Sequence, residues 1–139
     1  MNYKIVAKYI KDLKFEIPSP KTFFLLEKNI SNYKINIDIK SQQFKEKIIE
    51  VETTLALIPN NNNFEKINTR IVFSTIIEID GELTNKQDLE EIILIKVPNE
   101  IYTELRVLFV LLFEKSGFNK IKIEEKIDFR ELYLKRSIQ

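Results

Sequence analysis

The sequence has no cysteine and no histidine, and only two glycines, Gly81 and Gly117. Without His or Cys, the commonest general base, the thiol nucleophile and the commonest transition-metal ligands are missing, so neither an enzyme nor a metal protein is expected. Two isolated glycines cannot form a phosphate-cradling loop, and no cofactor or nucleotide-driven step is expected. The lack of cysteine is compatible with a reducing compartment. No stretch approaches the roughly 18 apolar residues of a membrane-spanning helix; the longest run is Val107 to Phe113, and membrane insertion is not expected. Met1-Asn2-Tyr3-Lys4 leads directly into alternating residues, with no apolar block before a cleavage site, so a cytoplasmic location is expected. Neither charge sign dominates: 22 basic and 21 acidic residues leave +1, which creates no global field toward nucleic acid or an anionic membrane. Lys120, Lys122, Lys126, Arg130, Lys135 and Arg136 make the C-terminal end basic, but Glu124, Glu125, Asp128 and Glu131 are interspersed. No nucleic-acid partner is expected.

What is present is enough to fold. With 44 % apolar and 31 % charged residues over 139 positions, the chain is expected to form a single domain, residues 1–139. From Tyr3 to Ile17 the odd positions are largely apolar and the even ones mostly charged, which predicts a long half-buried strand ended by Pro18 and Pro20. The stretch Ser19 to Tyr33 holds Phe23, Phe24, Leu25 and Leu26 in succession. It fits neither strand nor amphipathic helix and reads as a long crossing loop with an apolar middle. Alternation returns around Ile35, Ile37 and Ile39, again from Ile49 to Leu57, and again from about Glu65 to Ile79. Pro59 and Asn60 to Asn63 supply the turn between the third and fourth strands, and Asp80-Gly81 closes the fourth. Glu50 and Glu52 share a strand face and read as a solvated surface rather than a catalytic carboxylate pair.

Asn99 is a suitable N-cap with Glu100 in the first turn, predicting a helix from there to about Ser116, stopped by Gly117. Tyr102, Leu105, Leu108, Phe109 and Leu112 follow helical spacing, but Val107 to Phe113 is apolar all round. A single sheet covers only one side of such a helix, so an oligomer is expected, with these five residues at its interface. Asp128 is the expected N-cap of a short last helix carrying Phe129, Leu132 and Tyr133. The fold class is therefore α+β: a four-stranded antiparallel sheet followed by a long helix and a short C-terminal helix.

Three segments, in this order, resemble the SecB family of protein-export chaperones. Tyr9-Ile10-Lys11-Asp12-Leu13-Lys14-Phe15-Glu16-Ile17-Pro18 is similar to that family's first-strand pattern Y-x-K-D-x-x-F-E-x-P. Pro98-Asn99 followed by Ile101, Tyr102 and Arg106 is similar to its helix start. Gly117-Phe118, then Ile127-Asp128-Phe129 and Leu132-Tyr133, is similar to its ending. Ser74-Thr75 stands where the family commonly has Ala-Gly, which marks a divergent member.

The resemblance implies a homotetramer built as a dimer of dimers, with eight-stranded layers sandwiching the long helices. It implies ATP-independent holding of unfolded preproteins for export. Clients would lie in grooves lined by the loop between the first two strands, the segment between the helices and the last helix. Here those regions hold Phe23, Phe24, Leu25, Leu26, Phe118, Ile121, Ile123, Phe129 and Tyr133. It also implies docking to the export motor ATPase SecA through acidic residues on the sheet, where Asp12 and Glu16 match the motif. A further acidic position of the family falls near Arg70 here, and the net charge is not acidic, which sets motor docking apart from client holding. Two alternatives share the sequence's features: a SecB-like chaperone dedicated to the antitoxin of a toxin-antitoxin pair, and an oligomeric adaptor that binds one folded partner.

Overall fold

The computed structural model describes residues 2–82 and 84–138. Four strands, β1 (Asn2–Glu16), β2 (Tyr33–Lys45), β3 (Ile48–Pro59) and β4 (Asn68–Asp80), form one antiparallel sheet in the order β1-β4-β3-β2. α1 (Pro20–Asn29) and a short 3-10 turn (Ile30–Asn32) connect β1 to β2. After β4 come α2 (Lys86–Glu91), a π-helical turn (Ile92–Lys96), α3 (Val97–Lys115) and α4 (Phe129–Ile138). The sheet, the long helix and the short last helix are as the sequence predicts.

One face of the sheet is the core. Val51, Leu55, Ile71 and Ile77 alternate inward from the central strands β3 and β4, and α3 lays Ile101, Leu105, Phe109 and Phe113 on them. The i, i+4 spacing of these four helical residues sets one continuous apolar stripe against a surface of strand period two.

Two local features depart from the sequence reading, and a third is one on which that reading is silent. Register shifts between Ile5 and Ala7 and between Ile10 and Asp12 mark two β-bulges, each of which swaps the faces of β1. Odd residues face α3 up to Ile5, even ones do so at Lys8 and Ile10, and odd ones again at Leu13 and Phe15. Lys8 accordingly pairs with Glu104 of α3 at 2.7 Å, while Tyr9 and Lys11 turn to the outer face. The long helix also does not begin at Asn99. Pro98 lacks an N–H and would clash inside a regular helix, yet α2 and α3 run together because the π-helical turn Ile92–Lys96 immediately precedes it. That turn also buries Ile92, Ile93 and Ile95. Finally, the β2–β3 hairpin turns through Lys47 at φ 64°, a position with no glycine to announce it.

The outer face of the sheet carries a buried carboxylate where a solvated one is expected. Glu50 of β3 is only 6 % exposed. It accepts hydrogen bonds from Ser74 Oγ of β4 at 2.7 Å, from Tyr9 and Lys11 of β1 at 3.2 Å, and from Gln42 of β2 at 3.4 Å. One side chain thus ties all four strands, and Lys11 also pairs with Glu52. The Ser74 hydrogen bond, then Lys11 and Tyr9, hold Glu50 below its ordinary value of 4.5 against the opposing effect of burial. A lowered carboxylate contributes stability that is present above its unfolded pKa and lost as pH falls through the folded value. The resistance of wild type to urea should therefore hold from neutral pH down to the ordinary carboxylate value of 4.5 as far as Glu50 is concerned and fall below it, and Glu50→Gln should lower stability at neutral pH while flattening that decline. Parallel pH profiles for the two proteins would show that Glu50 does not act this way.

Candidate functional site

The segment expected to be a loop is a helix. Ser19 is the N-cap of α1, its Oγ accepting the Thr22 N–H at 3.1 Å, and Pro20 occupies the first turn, where its missing N–H costs nothing. The Ser-Pro pair was the available signal, but four successive apolar residues masked the helical period. Thr22 and Leu26 face inward, Phe23 is half-buried, and Phe24 and Leu25 point to solvent, Phe24 at 64 % exposure.

α1 is held by aromatic contacts. Phe23 meets Phe118 at 4.8 Å between ring centroids, Phe118 meets Phe113 at 5.9 Å, and Phe113 meets Phe15 of β1 at 4.9 Å. Gly117 permits this arrangement. At φ 94° it ends α3 in a Schellman motif, with Phe118 N–H to Phe113 O at 2.9 Å and Gly117 N–H to Glu114 O at 3.1 Å. A Cβ there would lie 3.2 Å from the Phe23 ring. Downstream, Tyr102 OH donates to Glu124 O at 2.7 Å and Arg106 Nε to Ile123 O at 3.0 Å, strapping the connecting segment along α3. Asp128 accepts the Glu131 N–H at 3.0 Å as the N-cap of α4.

Between α1 with its 3-10 turn, the start of β2, and the segment from Gly117 to Lys122 lies an open trough of about 1050 Å³. Its apolar lining comes from Ile30, Tyr33, Ile35, Leu57, Phe118 and Ile121. Tyr33 OH donates to Glu65 O at 2.5 Å, and burial first, then the negative Glu65, raise its pKa above the ordinary value. Further along β2 a smaller recess of about 310 Å³ is lined by Ile37, Ile39, Leu94, Leu132 and Tyr133.

Of the residues expected to touch clients, Phe118 and Ile121 line the trough, Phe23 packs on Phe118, and Tyr133 lies at the smaller recess. Phe24 and Leu25 are exposed on α1. Leu26, Phe118, Ile123 and Phe129 are buried. Leu26 is the inward residue of α1, Ile123 is drawn in by the Arg106 strap, and Phe129 stacks edge-on with Tyr102 at 5.8 Å. Ile30, Tyr33 and Ile35 of the trough were not singled out by sequence, nor was Phe44, 67 % exposed near the β2–β3 turn.

Asp12 and Glu16 lie together on the outer sheet face. There Asp12 pairs with Arg70 at 2.9 Å and Glu16 accepts from Asn68 at 3.3 Å. The residues expected at an oligomer interface are placed differently. Tyr102, Leu105 and Phe109 are buried within the chain, and Leu108 and Leu112 are half-buried. Regular helical spacing marks the stripe facing the chain's own sheet. The outward stripe is Val107, 55 % exposed, and Leu111, 43 % exposed, and Ile10 and Leu13 of β1 are also exposed. Among the described residues no helix is long and apolar enough to cross a membrane, and no acidic cluster is placed to hold a metal. Arg136 lies outside the described side chains.

Comparison with known proteins gives one consistent result. Residues 1–139 match the family model described as preprotein translocase subunit SecB. A putative protein-export protein SecB of Pelagibacter ubique is 41 % identical over 136 residues, covering 98 % of this chain and 97 % of the relative. SecB proteins of Granulibacter bethesdensis and Ehrlichia chaffeensis are 24 % and 25 % identical, covering 96 % and 94 % of this chain and 81 % and 86 % of theirs. Matched over its whole length by the family model, and sharing that length with a relative at 41 % identity, the chain belongs to the SecB family.

Proposed function

We propose that this protein is an ATP-independent holding chaperone that keeps preproteins unfolded for export in the cytoplasm. The observation that carries the reading is the open trough with Ile30, Tyr33, Ile35, Leu57, Phe118 and Ile121 in its lining, together with Phe24 and Leu25 exposed on α1, the helix that forms one of its sides. Unfolded polypeptides share little except apolar side chains and free backbone groups, so a broad apolar surface on a rigid scaffold suits them better than a specific pocket. Burial gains roughly 25 cal/mol per Å² of apolar area, less the cost of ordering the client, so one segment binds weakly. Several troughs on one assembly would hold a long client by effective concentration. Fast folders bury their apolar segments before capture at about 10⁵ to 10⁷ per molar per second, while slow-folding precursors stay available. The export names of the relatives favour preproteins over antitoxins as clients. Phe24→Ser with Leu25→Ser should weaken capture of a chemically unfolded secretory precursor about tenfold in light scattering on a sizing column, as expected for losing two apolar contacts. Capture of the folded precursor equally well would refute the holding reading.

The assembly follows from what one chain leaves uncovered. β1 and β2 are the sheet edges, and Val107, Leu111, Ile10 and Leu13 are exposed. Pairing β1 edges would give an eight-stranded layer, and facing α3 helices would bury the outward stripe, producing a dimer of dimers. Val107→Glu with Leu111→Glu should reduce the solution mass from tetramer to dimer. An unchanged tetramer would place the interface elsewhere.

Asp12 and Glu16 are the proposed contacts for the SecA motor. Because Arg70 already pairs with Asp12, docking is expected to be weak in wild type and strengthened about threefold by Arg70→Ala, the scale of one exposed ion pair. Asp12→Lys should weaken docking without altering client capture. Equal loss of both activities would contradict this division.

A further inference from the structure

The trough is apolar on its floor and basic on its rim. Lys28 of α1, Lys34 of β2, and Lys120 and Lys122 of the connecting segment line it, with Glu27 as the one acidic lining residue. All four lysines are exposed, and none has a hydrogen bond or ion pair among the described residues. Lys8, Lys11, Arg70, Arg130 and Lys135 are paired with carboxylates, whereas Lys4 and Lys14 are, like the trough lysines, exposed without an ion pair among the described residues, so what distinguishes the trough is four lysines lining one surface with one glutamate. The protein's +1 formal charge therefore conceals a local excess of three positive charges at the trough, four lysines less one glutamate.

We propose that the trough selects apolar client segments flanked by acidic residues and discriminates against segments flanked by basic ones. This rests on the holding reading above and adds its client class. An extended segment seated on the apolar floor carries its neighbouring side chains past the lysines, within the Debye length of about 8 Å at physiological ionic strength. Carboxylates there meet unpaired ammonium groups, and ammonium groups meet like charge. Each exposed pairing is weak, but several act together along one segment. The flanks then set which apolar segments are kept, while the floor supplies capture itself. The apolar floor favours a polypeptide over a nucleic acid as the anionic occupant.

The test uses the full chain and three fluorescein-labelled peptides with one shared apolar core, flanked by Asp and Glu, by Ser and Asn, or by Lys. Anisotropy titrations at physiological ionic strength should rank them acidic, neutral, basic, with acidic about tenfold tighter than basic, and added salt should compress the range. Replacing the four lysines (Lys28→Ser, Lys34→Ser, Lys120→Ser, Lys122→Ser) should abolish the ranking, the three peptides then binding alike. Equal binding of the three by wild type, or preference for the basic peptide, would overturn the charge selection while leaving holding intact. No binding of any peptide would overturn holding itself and the selection with it. A single-stranded oligonucleotide of matching charge that bound as tightly as the acidic peptide would overturn the assignment to polypeptide.

Discussion

Phe113 is the point on which the arrangement turns. It is fully buried, it lies edge-on to Phe15 of β1 and to Phe109 one helical turn earlier, and it meets Phe118 beyond the helix end. Phe118 in turn holds Phe23 of α1. Sheet, long helix, connecting segment and first helix are thus joined through one aromatic line. Aromatic pairs of this kind contribute about 0.5–1.5 kcal/mol each beyond their buried area. The trough exists because this line fixes α1 on one side and the segment after Gly117 on the other. The left-handed backbone of Gly117 lets the chain reverse without meeting the Phe23 ring.

A holding surface has to remain apolar and exposed without collapsing onto itself. The faces of α1 are divided in this way: Thr22 and Leu26 are in the core, and Phe24 and Leu25 are outside. The rigid side of the helix supports the open side. On the far face of the sheet, Glu50 ties four strands through neutral and cationic donors, so the sheet is braced without covering that face.

Much of the fold was legible because alternation along β1 to β4 is strong and the turn residues after Pro59 are explicit. The bulges in β1 were not, since moving one residue exchanges faces without changing which residue types are present. α1 was hidden by an apolar run that buries only part of itself. The start of the long helix was misplaced because Pro98 normally ends a helix, and a π-helical turn is not announced by composition. The site was legible as a set of apolar residues but not as a surface. Nothing in the sequence separates Phe24, which is exposed, from Phe129, which is buried. The lysines on the trough come from three separate segments and converge only after folding.

Client segments are proposed to occupy the trough between α1 and the segment after Gly117. Amide hydrogen exchange of the full protein, with and without a saturating unfolded precursor, tests that occupancy most directly. Exchange should slow over residues 24–35 and 117–122, with the β2–β3 turn at residues 45–48 unchanged. Slowing confined to segments away from the trough, or none over residues 24–35 and 117–122 while the precursor stays bound, would contradict it.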